Sequence, residues 1–162
     1  LEAGCGACAD IVETDSCLFG TWQLTSGGAA EWMRRQGAPV QFTTNNESIT
    51  LRSDGTFLTG AFSGAFEGRM PDGTQVSGQS QASAGGRWSA RGGTLNLCPD
   101  LQQAQGRGTA RLPGGQRMSV PMLTGAQALT QMRYSCGDGV MNTEMSIPGA
   151  PPITSGYRRT ER

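Results

Sequence analysis

Short runs in which apolar and polar residues alternate follow one another along most of the chain. The run at 48–52 alternates strictly, and Asp54-Gly55 then turns the chain back into the run at 56–58, which predicts a β-hairpin. Turn residues separate further β-type runs at 65–68, 74–83, 87–89, 94–98, 108–112, 117–123, 131–136, 140–147 and 153–158. Turns at intervals of about 8–12 residues are typical of an up-and-down barrel or a sandwich.

The first apolar run and the segment after it differ from this pattern. Residues 18–24 read Leu-Phe-Gly-Thr-Trp-Gln-Leu and predict the first strand. Residues 29–36 lie between glycines, and Glu31 is spaced to pair with Arg34 or Arg35 along a helix. The sequence therefore predicts one short helix directly after the first strand.

The order of these elements favours one architecture. No alternation of strands and helices points to a parallel sheet, and nine or ten strands in one domain benefit from closure, which removes exposed edges. We predict an all-β fold, an antiparallel up-and-down barrel of about eight to ten strands, as a single domain at 17–162. Residues 1–16 carry little apolar pattern and are expected to form an N-terminal tail or linker.

Composition narrows the function classes. The formal net charge is zero and no basic run occurs, so neither a nucleic-acid footprint nor a polybasic membrane patch is expected. The chain has no His and no Lys, which excludes Ser-His-Asp, Cys-His and Ser-Lys relays and Schiff-base chemistry within it. It also lacks a phosphate-binding Gly-rich motif. We expect a protein that is not an enzyme and that carries no cofactor.

Five cysteines point to an oxidising compartment. Cys5 and Cys8 have zinc-like spacing, but the partners for a zinc site would be the isolated Cys98 and Cys136, and histidine is absent. Disulfides are therefore favoured over zinc, and we expect an exported protein of the periplasm, the cell envelope or the extracellular space.

The odd number of cysteines leaves one thiol unpaired. Ala3-Gly4-Cys5 is similar to the end of a bacterial lipobox, in which the cysteine is lipidated. A lipid anchor at Cys5 is one interpretation and would be the only attachment to a membrane. The other is a soluble exported domain with Cys5 and Cys8 in a loose tail.

A family resemblance appears in the first strand. Residues 17–22 read Cys-Leu-Phe-Gly-Thr-Trp, which resembles the Gly-x-Trp signature of lipocalins and related calycin barrels. The early helix and several later motifs look like those of small secreted bacterial lipocalin-like domains: residues 53–57, Gly86-x-Trp88, Leu95-x-Leu97 and Tyr134-x-Cys136-Gly137-Asp138. The resemblance covers most of residues 17–159 and implies a closed barrel that binds a ligand.

The resemblance also implies a role for one tryptophan. In lipocalins the tryptophan of the first strand packs beneath an arginine near the end of the barrel. Arg158 or Arg159, beside Tyr157, would fill that role for Trp22, and we assign it to Arg158.

One disulfide pairing is favoured among those possible. Cys17 and Cys136 would both lie near the seam where the first strand meets the last few strands. Four bonded cysteines still allow three pairings.

Five of the seven methionines fall between residues 118 and 145 and follow strand parity. On each of three predicted strands, a methionine shares one face with a second residue: Met118 with Met122, Met132 with Tyr134, and Met141 with Met145. If these strands are neighbours, the methionines point at one another. They would then fill the core, or they would line a deformable pocket for a small hydrophobic ligand. A Cu(I) site is disfavoured because the chain has no histidine.

Two hypotheses for function follow. The first is a non-catalytic, exported, lipocalin-like barrel that binds a small hydrophobic ligand among these methionines. The alternative is an envelope or surface interaction module without a cavity, either a lipoprotein or an inhibitor-like barrel, which acts through protein–protein contacts. Trp32 discriminates between them, because a position over the barrel mouth favours a cavity and an exposed position favours protein contacts.

Overall fold

The computed structural model describes residues 13–37, 40–42, 47–59, 64–69, 73–111, 117–120 and 130–161. A 3₁₀ helix at Ser16–Leu18 precedes β1, and helix α1 (Gly28–Arg35) follows it. The strands are β1 (Gly20–Gly27), β2 (Val40–Phe42), β3 (Ser48–Leu51), β4 (Thr56–Thr59), β5 (Gly64–Arg69), β6 (Gln75–Arg91), β7 (Thr94–Arg111), β8 (Arg117–Val120), β9 (Thr130–Gly137), β10 (Val140–Ile147) and β11 (Ala150–Glu161).

Eight of these strands close into a barrel. In the order β1, β3, β4, β6, β7, β9, β10 and β11, each strand pairs antiparallel with the next, and β11 pairs with β1 to complete the ring. This order follows the chain, so the predicted up-and-down barrel is confirmed, as is the single short helix after the first strand. No helix in the described ranges is long and apolar enough to span a membrane.

The strands β6 and β7 are long enough to take part in two sheets. Their barrel halves pair with β4 and β9, whereas residues 75–80 of β6 pair with β5 and residues 108–111 of β7 pair with β8. We call the second part the extension sheet: β2, β5, residues 75–83 of β6, residues 105–111 of β7, and β8. A register shift between Ser83 and Gly85 separates the two parts.

The barrel interior is filled by one apolar cluster. Alternate residues of the barrel strands point inward, as the two-residue period of a strand requires. The buried members are Leu18, Trp22, Ile49, Leu51, Phe57, Trp88, Ala90, Leu95, Leu97 and Met141. Trp22, Leu51 and Leu95 are 0% exposed, so one end of the barrel is a packed core.

The 3₁₀ helix closes that end. The indole of Trp22 donates to the carbonyl of Leu18 (2.9 Å), and the guanidinium of Arg159 lies 4.6 Å from the centre of the Trp22 ring. Arg159 also donates to the carbonyl of Cys17. The assignment of this role to Arg158 is therefore corrected to Arg159. Arg159 is the cross-strand partner of Trp22 and shares its face, whereas Arg158 points to the opposite, exposed side.

A disulfide ties the 3₁₀ helix to the barrel wall. Cys17 bonds to Cys136 on β9, with their Cα atoms 6.1 Å apart, so the favoured pairing is confirmed. Cys98 is disulfide-bonded as well. Disulfides persist in oxidising compartments, which supports an exported protein.

The turn at Asp54 has a structural explanation. Its carboxylate accepts hydrogen bonds from the hydroxyl (2.6 Å) and the amide (2.9 Å) of Thr56. These bonds hold the pKa of Asp54 below its usual value. Gly55 next to it has a φ of 86°, which glycine adopts without strain. The Asp-Gly pair therefore serves the β3–β4 hairpin.

Several boundaries differ from the prediction. The runs at 94–98 and 108–112 form one strand, β7. The runs at 74–83 and 87–89 form one strand, because Gly86 continues the extended chain instead of turning it. A Cβ at Gly86 would overlap the carbonyl oxygen of Cys98, so β6 approaches β7 closely there. The last strand begins at Ala150 and not at 153, and residues 1–12 of the predicted tail lie outside the described residues.

Candidate functional site

Two methionines of the predicted pocket, Met132 and Met141, lie in or against the core. Met141 is 1% exposed within the apolar cluster, and Met132 and Tyr134 are partly buried and pack against it. Met145 is half-buried on β10, and Met122 lies outside the described residues. The placement of Met132 and Met141 matches the interpretation of these residues as core filling.

The three methionine-bearing strands are not all neighbours. Met132 on β9 pairs with Leu95 in the barrel half of β7, whereas Met118 on β8 pairs with Ala110 near the other end of the same strand. The expectation that they converge is therefore wrong for Met118. The sequence runs are short and similar, and nothing in them indicates that β7 is long enough to separate β8 from β9.

Within the described residues, a concave surface lies away from these methionines, beside the helix. A cleft of about 560 Å³ lies between α1 and the strands β9, β10 and β11, and it is open to solvent. The helix contributes Glu31, Trp32 and Arg35. Glu31 and Arg35 lie four positions apart and Trp32 and Arg35 three, so these residues share one side of the helix.

The strands contribute two rows of polar residues on the outside of the barrel. Alternation turns Met132, Tyr134 and Met141 inward and their neighbours outward. Cross-strand pairing then aligns the outward residues: Ser135 with Asn142 and Gly156, and Arg133 with Glu144 and Thr154. All six line the cleft.

Two glycines let the corner between β1 and α1 approach this sheet. Gly27 has a φ of 71°, and a Cβ there would overlap the carbonyl oxygen of Thr154. A Cβ at Gly156 would lie 2.5 Å from Oγ of Ser26 and 3.4 Å from Oδ1 of Asn142. The base of the cleft therefore depends on residues without side chains.

Trp32 forms a fixed wall of the cleft. Its indole N–H donates to the carbonyl of Pro151 at 2.8 Å, which ties the helix to the start of β11. The side chain is half-buried. Trp32 therefore lies against the outside of the last strand and beside the cleft.

The charges of the cleft are only partly paired. Glu31 accepts from Arg35 at 2.7 Å on the exposed helix surface, a pair worth about 0.3–0.5 kcal/mol. Within the described residues, however, a group of polar side chains on the sheet has no hydrogen-bond or ion-pair partner: Arg133, Ser135, Asn142, Glu144 and Thr154. Their donors and acceptors are free to bind solvent or a ligand.

A second polar cluster is satisfied within the fold. Asn96, 3% exposed, accepts from the amide of Gln131 at 2.9 Å and donates to Ser89 Oγ at 3.4 Å. Buried polar groups with partners stabilise a fold and have little capacity left for a ligand. This cluster therefore has a structural role.

The two tyrosines also belong to the scaffold. Tyr134 donates to the carboxylate of Asp15 at 2.7 Å, and burial together with this bond raises the pKa of Tyr134 to about 12. Burial, followed by the charge of Glu47, raises the pKa of Tyr157 above its usual value. Both hydroxyls stay protonated at neutral pH and help to hold the barrel wall.

Trp32 and Tyr134, which both line the cleft, were singled out from the sequence, but the polar strand residues were missed because each is an ordinary surface residue in its own strand. The signal that could have found them is the set of residues that alternate outward on three consecutive strands, taken together with the helix face that carries Trp32.

The chain was compared with protein-family models, curated proteins and solved structures, and it matches none of them.

Proposed function

We propose that this chain is an exported, lipocalin-like barrel that binds a small molecule without acting on it, and that the cleft beside α1 is its binding site. Three features support the lipocalin-like assignment: the eight-stranded up-and-down barrel, the 3₁₀ helix at its closed end, and the arginine over Trp22. The Cys17–Cys136 disulfide supports export.

One observation carries the location of the site. Unpartnered polar side chains on the sheet face the fixed indole of Trp32 across a cleft of about 560 Å³. Ligand sites in proteins are clefts of roughly 300–1,000 Å³ in which a few polar groups orient the ligand against apolar surface. The cleft has a volume within this range, and Trp32 supplies apolar surface beside its polar groups.

The interior has less support as a site for a hydrophobic ligand. Met141 is 1% exposed and Met132 packs against the core cluster, so their thioethers contact protein atoms. The alternative of an interaction module has weak support too. Among the described residues of known burial, the one large apolar residue that is exposed is Leu58, at 40%. A single such residue does not form a contact patch.

We propose further that Cys5 carries a lipid anchor, on the strength of the Ala3-Gly4-Cys5 motif. With Cys17 and Cys136 bonded to each other, the chain has Cys5 and Cys8 left to account for the bonded state of Cys98. Cys8 can take that role and leave Cys5 for the lipid. The intact mass of protein from its own host tests this, because an acylated Cys5 adds the mass of its acyl chains.

The binding proposal is tested by a thermal-shift screen of polar and apolar small molecules. We expect polar compounds to raise the melting temperature, and the shift to disappear in Trp32→Ala. The control is Met132→Leu, which conserves volume in the core and should keep the shift. A shift that is lost in Met132→Leu and kept in Trp32→Ala would contradict the proposal, as would stabilisation by apolar compounds alone.

A further inference from the structure

The charge of the cleft is balanced. Glu31 and Glu144 oppose Arg35 and Arg133 within one lining. A strongly charged ligand would meet as many like charges as opposite ones, so the electrostatics favour a ligand without net charge.

The polar groups of the sheet both donate and accept. Asn142, Ser135 and Thr154 each offer donor and acceptor atoms, Glu144 only accepts, and Arg133 only donates. Arg133, Glu144 and Thr154 are cross-strand neighbours, so hydrogen-bond donors and acceptors lie side by side across three strands. A hydroxyl group also donates one hydrogen bond and accepts others, so a ligand with several neighbouring hydroxyls matches this surface.

On the helix side of the cleft, Trp32 supplies a flat apolar surface beside the charged Glu31 and Arg35. Trp32 is held by its bond to Pro151, so the ring keeps its orientation toward the cleft without a ligand. A sugar ring has C–H groups on its faces and hydroxyls around its rim. It can therefore cover an indole with one face while its rim reaches the polar row.

We infer that the ligand of the cleft is a neutral carbohydrate, with one sugar ring against Trp32 and its hydroxyls bound by Arg133, Asn142 and Glu144. The inference rests on the proposed function and assigns the class of ligand to the same site. Because the cleft is open, further sugar units can continue into solvent, which suits an oligosaccharide.

The experiment combines calorimetry with fluorescence quenching. The probes are neutral gluco-, manno-, galacto- and chito-oligosaccharides, titrated into the full chain. Trp22 and Trp88 are 0% and 3% exposed, so iodide quenching reports mainly on Trp32. We expect at least one series to bind and to protect Trp32 from iodide.

Two cleft variants and one control test the contacts. Trp32→Ala should weaken binding at least tenfold, and Asn142→Ala, which is exposed and keeps the Trp32–Pro151 bond, should weaken it several-fold. Arg158→Ala alters an exposed residue of β11 that does not line the cleft, and it should bind as the parent chain does. Melting curves establish that each variant is folded, and Asn142→Ala carries the test if Trp32→Ala is not.

The outcomes separate this inference from the proposed function. If no oligosaccharide binds but amino acids or short peptides protect Trp32, the carbohydrate class is wrong and the cleft remains the site. If an oligosaccharide binds equally well to both cleft variants, the location of the site is wrong. If no small molecule protects Trp32, both proposals are overturned.

Discussion

The two halves of the β6–β7 hairpin share the same strands and differ in what they bury. In the barrel half, Trp88 and Leu95 are 3% and 0% exposed and belong to the core cluster. In the extension half, residues 75–79 alternate between exposed and half-buried positions and are Gln, Val, Ser, Gly and Gln. Backbone pairing between β6 and β7 is continuous through most of both halves, but the large apolar side chains lie mainly in the barrel half.

This difference indicates what specifies the register of each half. A one-residue slip in the barrel half would expose Trp88 and Leu95, so burial fixes the pairing there. In the extension sheet, Phe66 is 8% exposed and lies opposite Phe42 in the register of β2 and β5. We conclude that the barrel sets the register and that the extension sheet inherits it through the continuous strands.

The largest expected effect comes from the disulfide of the barrel. Replacing Cys17 and Cys136 together by Ser opens a loop with a sequence separation of 119 residues. In the chain-entropy model this lowers the free energy of unfolding by about 4–5 kcal/mol. Urea unfolding measures the change. A loss below about 1 kcal/mol would show that packing alone holds the closed end.

A matched pair of truncations compares the two halves directly. Leu95→Ala removes a side chain that is 0% exposed and should lower the free energy of unfolding by about 2–5 kcal/mol. Val76→Ala removes a half-buried side chain of the extension sheet and should cost less than about 1 kcal/mol. Equal losses in urea unfolding would contradict the division between a stabilising barrel and a dependent extension.

The arginine over Trp22 gives a smaller effect with an adjacent control. Arg159→Gln removes the cation–π contact, worth about 0.5–2 kcal/mol, and disturbs the hydrogen bond to Cys17. Arg158→Gln changes an exposed neighbour and should stay within about 0.5 kcal/mol of the parent. If the two variants lose the same stability, the contact with Trp22 contributes nothing.

Alkaline pH should weaken the barrel gradually. Both tyrosines of the chain lie in barrel strands with raised pKa values, about 12 for Tyr134. Unfolded tyrosines ionise near pH 10, so above about pH 10 the unfolded state loses protons that the folded state keeps. The free energy of unfolding then falls as pH rises toward 12, and the contribution is complete below about pH 10. Tyrosinate absorbance checks this, and a native titration centred near pH 10 would contradict it.

The barrel strands could be predicted from the sequence because their signals are local. The Asp54-Gly55 and Asp138-Gly139 turns and the alternation at 140–147 each identify a hairpin without reference to the rest of the chain. The Cys17–Cys136 pairing followed once the first and last strands were expected to meet.

The extension sheet and the cleft depend on information that is not local. Gly85-Gly86 has the composition of a turn, and only the closeness of β7 explains why the chain continues straight. The choice between Arg158 and Arg159 depends on strand parity, which shifts at the irregularities of β1. The cleft required the packing of α1 on β11, which no periodicity within either element specifies.

The position of β11 between β1 and β10 has a consequence for how the domain is assembled. During synthesis, β1 is the first barrel strand to emerge and β11 is the last, so the ring stays open until residues 150–161 arrive. Until then the edges of β1 and β10 can pair with other chains. The contacts that join β1 to β11 also span nearly the whole sequence, a topology that slows folding. A chain truncated before β11 would leave the edges of β1 and β10 unpaired, and we expect it to be prone to aggregation.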